Sequence, residues 1–139
     1  MRKLRINTRR RGVEETIELD EFYKSLVFQE ILDSDFTKYE KYVLLVVLRK
    51  TLHFNKWSDK LAMYWLSKAT GISMAKLRET LKQLELKGLL EVKHSKGGRT
   101  SSADKFNEYS LSEQLLFKVF NDWTDIKEDY GILDFRLVK

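Results

Sequence analysis

The chain has 139 residues, 42% of them apolar, which is one domain's length and enough to bury a single core. It contains no cysteine and only two histidines, a composition that excludes a disulfide framework and thiolate chemistry and speaks against a metal centre or any other cofactor. The net charge of +5 and pI near 9.3 favour an anionic partner only where the charge is grouped.

Grouping is present from the start. Residues 1–12 (MRKLRINTRRRG) hold six basic side chains and no acid, residues 13–36 one base against eight acids, residues 37–60 six against two, residues 61–105 nine against four, and residues 106–139 four against seven. No apolar stretch follows the basic start, so it is not a secretory signal. The longest apolar run, Tyr42 to Leu48, is shorter than the ~20 residues of a bilayer span. A cytoplasmic protein without a membrane partner is expected.

Residues 1–12 read as a flexible basic arm, and Val13 to Leu19 (VEETIEL) alternates as a short strand or extended lead-in does. From Asp20 to Leu32, Phe22, Leu26 and Ile31 recur at helical spacing. Thr37 and Glu40 form a capping box that opens a central buried helix over TKYEKYVLLVVLRKTL. His53 to Lys60 is expected as a loop carrying two aromatic side chains, before a third helix over roughly Met63 to Thr70. Gly71 stands where a left-handed residue ends that helix, and Ser73 caps the next.

In that fourth helix Met74, Leu77, Leu81 and Leu84 share a narrow apolar stripe. Gly88 ends it, Leu89 to His94 and Phe106 to Leu111 are two strands of a hairpin, and SKGGRTSSADK is the tip. Ser110 and Glu113 read as a further capping box, opening a last helix with apolar residues at Leu111, Leu115, Val119, Trp123 and Ile126. The end, DYGILDFRLVK, is mixed in pattern. The fold expected is mainly α with a small β-hairpin, a winged helix-turn-helix. A basic arm and lead-in (1–19) precede the binding domain (20–111), and a C-terminal helix and tail (112–139) follow it.

Four stretches, LVFQEILDSDFTKYEKYVLLVV, LRKTLHFNKWSDKL, LSKATGISMAKLRETLKQLELKGLLEV and FNEYSL, resemble the N-terminal domain of the phage replication protein O family. The likeness covers roughly Asp20 to Leu111. It implies an origin-binding winged helix that recognises repeated DNA sites, with a separate region recruiting the helicase machinery. The 28 residues after Leu111 are too few for a full recruitment region. Ala62 or Tyr64 stands where the family has a capping Ser before the third helix.

A helix in the major groove needs small residues near its start and Arg, Lys, Asn or Gln reaching base edges. Ser73, Ala75, Lys76, Arg78, Glu79 and Lys82 answer that description, with Arg78 the candidate for a bidentate guanine contact. The blander alternative is a solvated face on which Glu79 pairs with Lys82. Lys93, Lys96, Arg99 and Lys105 around the two tip glycines are candidate phosphate contacts, as are Arg9, Arg10 and Arg11 of the arm. Arg49, Lys50 and Lys56 read more simply as solvated charge. Trp57, Trp65 and Trp123, which could stack on unpaired bases, read more simply as core.

No catalytic motif is found, so an enzyme is not expected. The expected partner is double-stranded DNA, bound sequence-specifically by a phage- or plasmid-type protein at an origin of replication. A transcriptional regulator of the same fold and a winged-helix protein-interaction module are the alternatives. The apolar stripe of the last helix has three candidate covers: the first helix, a second copy of the chain in a homodimer, or a replication protein partner.

Overall fold

The computed structural model of the chain describes residues 3–10, 13–95, 106–127 and 134–138. Among them lie five helices and two three-stranded antiparallel sheets. The molecule is thus mixed α/β, and the expectation of a mainly α chain with one hairpin is corrected.

The correction begins at the N-terminus. Arg5–Arg10 is strand β1, the centre of the sheet β2-β1-β6, paired on one side with β2 (Val13–Glu18) and on the other with β6 (Asp134–Leu137). Leu4, Ile6 and Thr8 are buried while Arg5, Asn7 and Arg9 point to solvent. That is the period-2 alternation of a half-buried strand, in place of a free arm. The Trp57 indole donates to Val138 O at 2.8 Å, which ties the terminal sheet to the middle of the chain.

Helix α1 (Glu21–Asp33) is capped by Asp20, whose Oδ1 accepts from Tyr23 N at 2.9 Å. Tyr23, Val27 and Ile31 face the core, whereas Phe22, one of the residues whose spacing marked this helix, is exposed with Phe28 and Leu32. Helix α2 (Lys38–Lys50) opens with the expected Thr37/Glu40 capping box, both reciprocal bonds being formed. It ends in a 3-10 turn, Leu52–Phe54, closed by Asn55 at φ 58°. The Asn55 Oδ1 accepts from the largely buried Lys24 at 2.7 Å, which fixes this left-handed corner.

The loop expected at His53 to Lys60 is only partly a loop, because Asp59–Ala62 is strand β3. This strand runs straight into α3 (Met63–Thr70), whose N-cap Ala62 offers no side-chain bond, as the sequence implied. Pairing of Ala62 with Phe106 holds the chain there instead. Helix α4 (Met74–Leu86), β4 (Leu90–Lys93) and β5 (Phe106–Leu111) follow, in a second sheet of order β3-β5-β4.

Helix α5 (Glu113–Lys127) is capped by Ser112, whose Oγ accepts from Leu115 N at 3.1 Å. Ser110 lies two residues too early for that role. Leu111, Leu115, Val119 and Trp123 are buried as expected, and the Ile126 side chain is outside the described set. Helix α1 supplies the cover. The Tyr23 hydroxyl donates to Leu116 O at 2.7 Å, its ring meets those of Phe120 and Trp123 edge-on, and the Trp123 indole donates to Asp20.

Candidate nucleic-acid interface

The α3 to α4 corner is built by residues whose chemistry is local. Gly71 takes φ 72°, a conformation that costs other residues about 1–2 kcal/mol, and its N–H bonds Ser67 O at 2.9 Å. Ile72 then drops into the core, and Ser73 caps α4 by accepting from Lys76 N at 3.3 Å. Leu77, Leu81 and Leu84 are buried and Met74 partly so, the stripe read from the sequence. Thr80 is also buried, and its hydroxyl donates to Lys76 O at 2.8 Å.

Because one face of α4 is committed to the core, the opposite face is set. Ser73, Ala75, Arg78, Glu79 and Lys82 are all exposed, and Lys76 is half-buried at the border. Glu79 pairs with Lys76 at 3.5 Å, one turn earlier, rather than with Lys82. Lys76 also sits 5.5 Å from the Tyr39 ring. Two cations, Arg78 and Lys82, therefore flank a carboxylate that already has a partner, on a face whose start is small enough for close approach.

The far end of α4 is bolted to α2. Glu40, 2% exposed, accepts from Lys87 Nζ at 2.9 and 2.7 Å while its Oε1 also takes the Thr37 N–H. Burial alone pushes the Glu40 carboxyl up, but the hydrogen bonds from Lys87 and Thr37 outweigh it and hold the group below the ordinary carboxylate value. Lys87 thus orients the helix. Gly88 follows at φ 70° and turns the chain into β4.

The hairpin and the terminal sheet present the remaining candidates unequally. Lys93 is exposed on β4, directly across from Glu108. The base of the hairpin is fixed by Ser95 N donating to the buried Asn107 side chain at 3.0 Å. Lys96, Arg99 and Lys105 lie outside the described residues, as does Arg11. Arg10 lies on β1, while Arg9 binds Glu14 at 2.8 Å across the β1–β2 pair. Both members of that pair are exposed, where an ion pair contributes ~0–1 kcal/mol.

Two aromatic residues that sequence reasoning assigned to other roles lie at the surface beside α3. Trp57 and Trp123 are buried, at 9% and 5% exposure, but Trp65 is 37% exposed and Phe54 53%. Their surroundings are basic. Lys50 Nζ lies 4.8 Å from the Trp65 ring and 6.0 Å from the Phe54 ring, and the Arg49 guanidinium 5.2 Å from Phe54. No group of three or more His, Cys, Asp or Glu able to hold a metal occurs among the described residues.

The model of the bacteriophage replication protein O family matches residues 21–106, from α1 into the start of β5. The chain belongs to that family. The matched stretch contains α4 and its corner, and leaves the terminal sheet and α5 outside. No curated protein matches the chain in sequence. Among solved structures, it is similar to Bordetella bronchiseptica BpsR, whose DNA binding is regulated by 6-hydroxynicotinic acid. That likeness is at 22% identity and TM-score 0.41, over 77% of this chain and 74% of that one. A second, a possible transcriptional regulator from Methanosarcina mazei Go1, is 14% identical with TM-score 0.41, over 81% of this chain and 85% of that one. At such TM-scores the likeness says nothing of function. Among the described residues, no helix is long and apolar enough to cross a membrane.

Proposed function

We propose that residues 20–111 form a winged helix that binds double-stranded DNA sequence-specifically, with α4 as the recognition helix in the major groove and the β4–β5 hairpin as the wing. The observation that carries this reading is the exposed face of α4. Ala75, Arg78, Glu79 and Lys82 stand on it directly after the Gly71 corner, held outward by leucines on one side and by Lys87 on Glu40 at the far end. Arg78 is assigned to base readout. Lys76, Lys93 and Arg9, with Arg10, Arg11, Lys96, Arg99 and Lys105, are assigned to phosphate contacts.

Membership of a phage replication family favours origin recognition over transcriptional control for this module, in the cytoplasm and without a catalytic role. A protein-interaction module remains the contrasting reading, and salt separates the two. Binding to a random duplex should be measurable near 50 mM salt and fall steeply by about 200 mM, because each neutralised phosphate releases counterions. Absence of duplex binding, or binding indifferent to salt, would reject DNA as the ligand. Selection of bound duplexes from a random library then identifies the site.

Self-association on repeated or palindromic sites belongs to the same proposal. Its measure is the light-scattering mass of the protein alone and on a selected duplex, and a monomer alone together with one protein per duplex would remove it. A replication partner, if recruited, needs a surface other than the α5 stripe that α1 covers.

A further inference from the structure

The Phe54, Lys50 and Trp65 cluster is built as a platform. Three elements supply it: the last turn of α2, the 3-10 turn after it and, beyond strand β3, the first turn of α3. Phe54 is not on a loose loop. Its N–H bonds Thr51 O at 2.9 Å, the Thr51 hydroxyl bonds Val47 O at 2.7 Å, and Asn55 beside it is held by the buried Lys24. Three residues further, Trp57 is anchored in the core.

Exposing these two rings has a cost. Burying an aromatic side chain stabilises a protein, and a cation over an exposed ring returns only part of that. Phe22 and Phe28 are exposed as well, but Phe54 and Trp65 are set apart by sharing one ammonium, that of Lys50, which suits the pair to a ligand. Residues 49–68 carry five basic side chains and one acid, Asp59, which lies 3.7 Å from Lys56. The ligand is thus an anion with flat apolar faces.

Bases within a duplex stack on one another and offer no free face. Unpaired bases do, and base stacking on aromatic side chains tolerates any sequence. We propose that this platform binds single-stranded DNA, Phe54 and Trp65 stacking on unpaired bases while Lys50 and Arg49 contact the phosphates between them. The Lys50 ammonium, within reach of both rings, sits where the phosphate joining two stacked nucleotides passes. The platform ends on the first turn of α3, one helix before α4 in the chain. The inference stands on its own observations and does not require the duplex reading.

Trp65 is the exposed member of three tryptophans, which makes emission a direct test. Titration with a short oligothymidylate near 50 mM salt should quench tryptophan emission in the full chain. Phe54→Leu and Trp65→Leu, each checked for an unchanged melting temperature, should weaken the same oligonucleotide in fluorescence anisotropy by roughly 5- to 150-fold each, the equivalent of ~1–3 kcal/mol per stacked base. A blunt duplex should bind both variants as it binds the parent. No binding of oligothymidylate, or binding that both variants leave intact, overturns the proposal. Equal loss on duplex and single strand also overturns it, since the rings would then serve the duplex interface. Single-strand binding without any duplex binding supports it and rejects the duplex reading alone.

Discussion

Single residues decide how sharply α4 is presented. If Arg78 has the base-reading role proposed for it, replacing it with Ala should cost ~1–3 kcal/mol on a selected duplex and relax preference at one base pair, as expected for loss of a bidentate contact to guanine. Competition against variants of that duplex measures it, and uniform weakening across all of them would assign Arg78 to phosphate. Gly71→Ala should destabilise the fold by ~1–2 kcal/mol, since a Cβ disfavours φ 72° although space is open around it. Chemical denaturation reads that cost. Glu40 brings a pH dependence. Its carboxyl is held below its ordinary value, so its contribution is complete above that ordinary value and fades as pH falls through the lowered one. Glu40→Gln should flatten the acid limb of melting temperature against pH, and parallel limbs in parent and variant would remove the effect. Gly71, Ser73 and the Thr37/Glu40 box were legible in the sequence because each acts within four residues. The Lys87 bond to Glu40 was not, because it joins residues 47 apart.

At the scale of elements, legibility followed the range of the interactions. Helices α1 to α5 could be read from spacing and caps, since their hydrogen bonds close within a turn. Strands β3 and β6 could not, because their partners β5 and β1 come from distant sequence, DKLA hardly alternates, and DFRL alternates over only four residues. Strand β1 did carry its signal in LRINTR, where Leu4, Ile6 and Thr8 alternate with charged and polar residues, but six basic side chains in twelve residues masked it. Within the candidate site the stripe of α4 was legible and the ring platform was not, as Lys50, Phe54 and Trp65 meet only once three elements are folded together. The packing of α1 on α5 yields a test of the same kind. Tyr23→Phe removes the hydroxyl that reaches Leu116 O and should cost about 1 kcal/mol in urea denaturation. An unchanged midpoint would mean that the interface is held by its rings alone.

At the scale of the whole molecule, the sheet β2-β1-β6 joins strands far apart in sequence. Strand β1 pairs with β6 through Ile6 and Leu137, and the main chain of Val138 meets both Arg5 and the Trp57 indole. Deleting residues 1–10 should therefore lower the melting temperature and shift Trp57 emission to the red as β6 is released. An unchanged emission maximum would mean that β6 docks without β1. That pairing also bears on the path by which the chain reaches its fold. Pairing residues as distant in sequence as Ile6 and Leu137 carries a larger loop-closure entropy than assembling α1 to α4 and the β4–β5 hairpin, which join nearer neighbours. The terminal sheet should be the last part to zip up, completed only after the helical body has brought the ends within reach. In pulse-labelled hydrogen exchange during refolding, amides of β1 and β6 should gain protection after those of α2 and α4.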